Sequence, residues 1–252
     1  QKKQDCKKTW NDTQRASYHS RPCGTGGLRP TKYRRNETSK TFHVKEKEKK
    51  IMVKVGIIGA GRIGRVHVES ICTQVPDAKV KTLADPFMSE ETAEWAKNMG
   101  VAQVTKDYKE IIEDPEIDAV LICSSTDTHS SISVEAIKAG KHVFCEKPID
   151  HDVAKIKEVI EALKESNVKY QVGFNRRFDH NFEAVQKAVA DGKIGDTHLI
   201  KVTSRDPEPP CAEYVKVSGG MFLDMTIHDF DMVRFLAGCN AEEVYVEAAV
   251  LV

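Results

Sequence analysis

The stretch Val53-Lys-Val-Gly-Ile-Ile-Gly59-Ala-Gly61-Arg62-Ile63-Gly64 decides the fold of this chain. A short apolar strand runs straight into a Gly-x-Gly-x-x-Gly loop, and an amphipathic helix begins inside that loop. A buried parallel strand delivers the chain to a tight turn, and the following helix starts with unpaired N–H groups facing the turn. Those amides and the helix dipole make a site for a pyrophosphate. In this reading Gly59 permits the turn, Gly61 lets backbone approach phosphate, and Gly64 lets the helix pack on the strand. Arg62 and Ile63 lie within the loop that would hold the cofactor. A glycine triplet alone is weak evidence. Here it follows a strand, opens a helix, and is followed 21 residues past Gly64 by Asp85 at the end of a second strand, the context that marks a dinucleotide site.

Outward from this motif, strands and helices alternate. Strands are expected at Val53–Ile58, Lys79–Ala84, Val101–Val104, Ala119–Cys123, His142–Cys145 and Tyr170–Phe174. Helices are expected at Arg62–Gln74, Ser89–Met99, Tyr108–Glu113, His129–Ala139 and Val153–Ser166, with Ser89 as an N-cap and Gly140 ending the fourth helix. Continuous apolar strands separated by helices mean a parallel sheet covered on both faces. After Asn175 the pattern changes. A helix near Phe182–Ala190, a strand at Thr197–Ser204, a Pro-rich loop, a helix from Phe222 to Ala237 and a strand at Val244–Val252 suggest an α+β unit with an incomplete sheet. The expected fold class is α/β: a Rossmann doubly wound parallel sheet over 52–174, then an α+β domain with an open sheet over 175–252, truncated at its C-terminus.

Residues 1–51 read differently. The chain is formally neutral, but 15 of its 38 Lys/Arg and only 5 of its 38 Asp/Glu fall in residues 1–50. The head is therefore +10 and the body −10, an acidic balance that argues against nucleic acid as a partner of the body. The head has no periodicity, and the first methionine is Met52. A transit peptide, a basic nucleic-acid arm and a translated leader ahead of the native start were weighed. The last is favoured, because Lys45-Glu-Lys-Glu-Lys-Lys50 is what a purine-rich ribosome-binding stretch would encode, and disorder follows from the composition in each case. Seven scattered cysteines without a C-x-x-C pair suit reduced thiols in a cytoplasmic protein. No apolar run is long enough to span a membrane, so no membrane partner is expected.

Asp85 stands where a carboxylate accepts hydrogen bonds from ribose hydroxyls, which favours NAD over NADP; the plainer alternative is a turn aspartate before Pro86. Arg62 could stack on adenine or meet a 2′-phosphate. Ser124 and Ser125, at the end of the fourth strand, stand on the nicotinamide side or serve as helix-capping hydroxyls. Glu146-Lys147-Pro148 emerges at the same edge of the sheet, where a lysine can orient a hydroxyl or depress its pKa; a surface Lys–Glu pair is the default. Asp224 and His228 are four apart on one helix and project from one face. An imidazole can take the proton of a secondary alcohol as hydride leaves the carbon, and the carboxylate can hold that imidazole or bind a neighbouring hydroxyl. The competing readings are a helix-terminal acid with a packed histidine, or a metal set of Asp224, His228 and Asp229. Hydride transfer needs no metal, and none is expected.

Together the glycine loop, Glu146-Lys147-Pro148 and Gly219-Gly-Met-Phe-Leu-Asp224-Met-Thr-Ile-His228-Asp-Phe-Asp231 resemble the Gfo/Idh/MocA oxidoreductase family. Within it, Gln171-Val-Gly-Phe-Asn-Arg-Arg-Phe-Asp179 and Ser204-Arg-Asp-Pro-Glu-Pro-Pro210 most resemble inositol 2-dehydrogenases, and the likeness covers Met52 to Val252. The resemblance implies an NAD-dependent enzyme that oxidises a ring hydroxyl of myo-inositol to scyllo-inosose; another inositol or sugar, or a non-catalytic NAD-binding regulator or inactive fragment, are the alternatives. It implies Lys147, Asp224 and His228 as the catalytic group, with His228 as general base. Asn175 and Arg176 would face the substrate or the nicotinamide edge, and Asp206 would bind a substrate hydroxyl. It also implies further sheet strands, used for homo-oligomer contacts (tetramer or dimer) and for the substrate pocket.

Overall fold

Apolar side chains on both sides of one strand require two covered faces, and β1 (Val53–Ile58) meets that requirement in the computed structural model, which describes residues 52–249. Val55 and Ile57 enter one core cluster with Val68, Val80, Leu83 and Ala96. Ile58 points the other way, into a second cluster with Ile111, Ile122, Ile137 and Val159. The sheet between the clusters contains β1, β2 (Ala78–Ala84), β3 (Gln103–Thr105), β4 (Ala119–Ile122), β5 (His142–Cys145) and β6 (Tyr170–Val172), in the order β3-β2-β1-β4-β5-β6. Every pairing is parallel.

The helices α1 (Arg62–Gln74), α2 (Glu90–Asn98), α3 (Lys109–Glu113), α4 (Thr126–Lys138) and α5 (Val153–Lys164) make the crossovers. Their starts follow local chemistry. Ser89 accepts from the Thr92 amide and Asp152 from the Ala154 amide, each a side-chain oxygen satisfying an orphan helix donor. The order of the strands reverses between β1 and β4, so their carboxyl ends flank the crevice where a doubly wound sheet takes its ligand. The backbone ladder continues just past those ends, Cys123 donating to Ile58, Glu146 to Ile122 and Gly173 to Cys145. The glycine loop, the Ser124 loop, the Glu-Lys-Pro segment and the chain leaving β6 are thereby held along one edge.

Beyond β6 a 3-10 turn (Asn175–Phe178) leads into α6 (His180–Ala190), followed by α7 (Ala212–Val215), a π-helical turn (Phe222–Thr226) and α8 (Ile227–Ala237). Two expectations fail here. Residues 197–204 and 244–249 form no strand. Both have apolar strand-like composition, but a strand exists only where a neighbour takes its N–H and C=O groups, and none of the described residues does so; Leu199 and Tyr245 are 85% and 89% exposed. The helix expected from Phe222 to Ala237 is present but opens with the π turn, and α4 begins three residues before the expected His129. The basic head and residues 250–252 lie outside the described residues. No helix among the described residues is long and apolar enough to cross a membrane.

The cysteines divide by burial. Cys123 and Cys145 are buried at the ends of β4 and β5, while Cys72, Cys211 and Cys239 are exposed. Burial pushes the Cys145 thiol up to about 11 and the Cys123 thiol higher still.

Leu83 is fully buried and Val66 is 48% exposed, though both belong to the same layer of the sheet and its helix. Leu83→Ala is expected to lower the unfolding free energy by about 2–5 kcal/mol, and Val66→Ala to change it by less than about 0.5 kcal/mol. Urea denaturation of the two variants checks the contrast.

Candidate active site

The nucleotide end of the site is built by close approach. Gly59 has φ +102°, and a Cβ there would overlap the Cys123 backbone. A Cβ on Gly64 would run into the Gly59 carbonyl, so loop and helix pack backbone to backbone. At Gly61 nothing lies within 4 Å of the place a Cβ would take, and no side chain caps the helix that starts beside it. Free first-turn amides facing open space fit a pyrophosphate. Arg62, exposed, and Ile63, partly buried against the first core cluster, open α1. Asp85 accepts from the Ala60 amide at 2.6 Å and from the Phe87 amide at 2.8 Å, so its carboxylate is fixed against the glycine loop. An anion held there would repel a 2′-phosphate. The chemistry of these residues fits NAD: the amides of α1 would face the phosphates and Asp85 the ribose.

The chemical end lies along the same edge. Lys147 follows β5, and its ammonium donates to the Asp224 carbonyl at 2.7 Å and to Asp224 Oδ1 at 3.1 Å. The Tyr214 hydroxyl of α7 donates to the same Oδ1 at 2.8 Å. Burial, followed by the bond to Asp224, raises the Tyr214 phenol to about 12, opposed by the nearby charge of Arg62. Asp224 therefore holds Lys147 and Tyr214, not the His228 ring, although four-residue spacing alone allows the latter. The π turn supplies the reason: its wider turn places 224 off the line that an ordinary helix would set above 228. The chain enters that turn through Gly219 and Gly220, at φ +80° and +83°, where His151 leaves no room for a side chain at Gly219.

His228 is positioned by its neighbours along α8. Arg176 pairs with Asp229 through a very short hydrogen bond and also donates to Ser204 Oγ at 3.3 Å. Arg177 makes a two-pronged pair with Asp231 at 2.7 and 2.6 Å and lies 4.9 Å over the Phe235 ring. Asp231 is 4% exposed. These pairs bind α8 to the 3-10 turn that leaves the sheet. His228 Nδ1 is buried without a hydrogen-bond partner among the described residues. Burial, then the charges of Lys147 and Arg176, lower the His228 pKa below the ordinary histidine value, with Asp229 and Glu146 opposing. A neutral imidazole beside a fixed ammonium can take a proton from a hydroxyl placed between them.

The remaining expected residues are spread around this centre. Glu146 is paired with His67 of α1, Oε1 to Nε2 at 2.8 Å, which ties the Glu-Lys-Pro segment to the nucleotide helix. Ser124 shares a hydrogen bond with Thr128 at 2.7 Å, and Ser125 is exposed at the N-cap of α4, where its side chain makes no capping bond. Asn175 and Asp206 are exposed, the former at the start of the 3-10 turn and the latter in the Pro-rich loop. Asp229, one of the three weighed for a metal, is taken up by Arg176, and no cluster of three His, Cys, Asp or Glu among the described residues is arranged for a metal. His67 and Tyr214 went unseen in the sequence. His67 lies three residues past Gly64 on a helix whose face was read only for packing, and Tyr214 lies in a segment without periodicity.

Comparison with known proteins identifies the family of the fold. Residues 53–174 match the oxidoreductase family with an NAD-binding Rossmann fold, and residues 182–252 match the GFO/IDH/MocA C-terminal domain. The chain is 47% identical over 200 residues to myo-inositol 2-dehydrogenase of Thermotoga maritima, covering 79% of this chain and 59% of that protein. It is 37% identical to the NAD(+)-dependent scyllo-inositol 2-dehydrogenase of Bacillus subtilis, covering 76% and 56%. Among solved structures, scyllo-inositol dehydrogenase of Lactobacillus casei with bound NAD(H) and scyllo-inositol superposes with a TM-score of 0.68 at 38% identity, over 74% of this chain and 56% of that one. The chain thus spans less than three-fifths of the length of these relatives. With residues 53–174 and 182–252 both matched to its two domains, the chain belongs to the Gfo/Idh/MocA oxidoreductase family.

Proposed function

We propose that this protein takes part in NAD-dependent oxidation of a ring secondary hydroxyl of an inositol, myo-inositol foremost, to the corresponding ketone. The observation that carries the reading is the juxtaposition of Lys147, Asp224 and His228 from segments far apart in sequence. Lys147 lies 3.1 Å from Asp224, and its charge reaches the His228 ring. Residues 52–174 would hold the nucleotide and residues 175–252 would present the polyol. NAD, when bound, supplies the hydride acceptor.

The chain's own groups handle the proton and the oxygen. Neutral His228 takes the hydroxyl proton as the carbon is oxidised, so the alcohol loses one hydride and one proton in becoming a ketone. The Lys147 ammonium faces the oxygen on which negative charge develops, a position where a fixed cation lowers the barrier. Asp224 keeps that ammonium aimed, with Tyr214 holding the carboxylate from its other side. Arg176 stands close enough to keep His228 deprotonated while it secures the helix through Asp229. The names of the relatives include both myo- and scyllo-inositol enzymes, which supports the substrate class more firmly than the isomer.

A panel of inositols and sugars, followed by the absorbance of reduced nicotinamide, is expected to give its highest rate with myo-inositol. Nucleotide binding with no turnover on any polyol would overturn the reading in favour of a non-catalytic binder. Lys147→Met is expected to lower kcat by about a hundredfold or more while leaving the Kd for NADH little changed; stopped-flow turnover beside fluorescence titration separates the two. The pH profile follows from His228. Its depressed pKa keeps the base neutral through the ordinary imidazole range, so kcat/KM is expected to hold down to a pH below about 6.5 before the acid limb falls. Arg176→Gln removes a charge that opposes protonation and is expected to move that limb to higher pH.

A further inference from the structure

His67 has no part in the chemistry described above, yet it grips the strand end from which that chemistry hangs. It lies on α1, and its Nε2 is hydrogen-bonded to Glu146 Oε1 at 2.8 Å. The same imidazole meets the Phe144 ring edge-on, with centroids 5.2 Å apart. Phe144 belongs to β5 and Glu146 comes two residues later, so one side chain of the nucleotide helix holds the end of β5 at two points.

The carboxylate it meets has little freedom. The Glu146 side chain is 15% exposed. Its Oε1 is taken by His67, and its Oε2 lies against Gly173, where a Cβ would stand 2.8 Å from Oε2 and 3.2 Å from the Glu146 Cα. Gly173 is not among the glycines with positive φ, so its missing side chain answers to this close approach and not to a backbone requirement. The main chain is tied too: the Glu146 amide donates to the Ile122 carbonyl at 3.0 Å, and the Gly173 amide to the Cys145 carbonyl at 2.7 Å. Lys147, the next residue, sends its ammonium to Asp224. A lysine carries its charge on a flexible four-carbon stem, so its aim depends on the acceptor at one end and the backbone at the other. Asp224 supplies the first, and the contact between Glu146 and His67 supplies the second.

We infer that His67 is a positioning residue: acting through Glu146, it fixes the backbone from which Lys147 aims its ammonium at the reacting hydroxyl. This role rests on the polyol-dehydrogenase reading. Variants of the full chain test it, by turnover of the polyol that the unaltered protein oxidises fastest and by fluorescence titration with NADH. His67→Leu keeps an apolar contact for Phe144 but loses the hydrogen bond. It is expected to lower kcat about tenfold, since a misplacement of about 1 Å costs up to about a hundredfold, while the Kd for NADH stays within about twofold. His67→Gln returns an amide nitrogen to the neighbourhood of Nε2 and is expected to bring kcat back to within about threefold of the unaltered protein. Gly173→Ala crowds the same carboxylate from its other side and is expected to act as His67→Leu does. In a Lys147→Met background, His67→Leu is expected to change kcat by less than about twofold, because the group it positions is gone. An unchanged kcat for His67→Leu, a Kd for NADH that rises in step with the fall in kcat, or a further loss of about tenfold on top of Lys147→Met would overturn the role. Should His67→Leu fail to fold, Gly173→Ala, alone and with Lys147→Met, puts the same question. A polyol panel silent with the unaltered protein defeats the substrate reading and this role together; an active panel with a fast His67→Leu defeats this role alone.

Discussion

Two adjacent arginines and two aspartates two residues apart anchor α8 to the chain leaving the sheet. Arg176 and Arg177 leave the last strand in a 3-10 turn and meet Asp229 and Asp231 on α8. These pairs tie α8 to the 3-10 turn leaving the sheet, and the Lys147–Asp224 contact ties the turn before α8 to the segment after β5. Breaking such a pair strands a partly buried charge, which costs far more than forming it contributes. The docking is thus specified by charge placement, and the position of the imidazole is a by-product of it. The same guanidinium that secures the helix also helps lower the His228 pKa, so the anchor and the electrostatics of the ring are one arrangement.

The sheet edge contributes the other fixed frame. Parallel pairing brings four successive strand ends into register, and the glycine loop, the Ser124 loop and the Glu-Lys-Pro segment hang from that edge. Glu146 and His67 cross-link the Glu-Lys-Pro segment to the helix whose amides face the phosphates. Tyr214 joins from α7 and, through Asp224, touches the group that also holds Lys147. Nucleotide site and proton-handling site are therefore connected through side chains as well as through the sheet.

Much of this was legible in the sequence, for a physical reason. Strands buried on both faces read as uninterrupted apolar runs, and a glycine loop after such a run has few other uses, so β1 to β6 and their helices fall within a few residues of expectation. Lys147 and His228 were legible because their motifs bind chemistry to a place on that scaffold. What depends on distant partners was not. Residues 197–204 and 244–249 look like strands because composition describes what a strand would bury, not whether a neighbour is there to pair with it. The donors to Asp224 were likewise out of reach, since a π turn is decided by packing. The arginine–aspartate docking left a trace, two basic residues in a row and two acids two residues apart, but nothing local says that they meet.

The π-helical turn at Phe222–Thr226 has an evolutionary corollary. A π turn is an α-helix carrying one surplus residue, and each residue rotates an α-helix by about 100°. Loss of a single codon between Gly220 and Ile227 would return the segment to regular winding and swing the carboxylate of position 224 away from the ammonium it now neutralises. The imidazole four residues later, pinned by its arginine-bound neighbours, would stay where it is. Positions 224 and 228 are thus mechanically uncoupled on one continuous helix, and a lineage could change the partner of the lysine by an insertion or deletion without moving the imidazole.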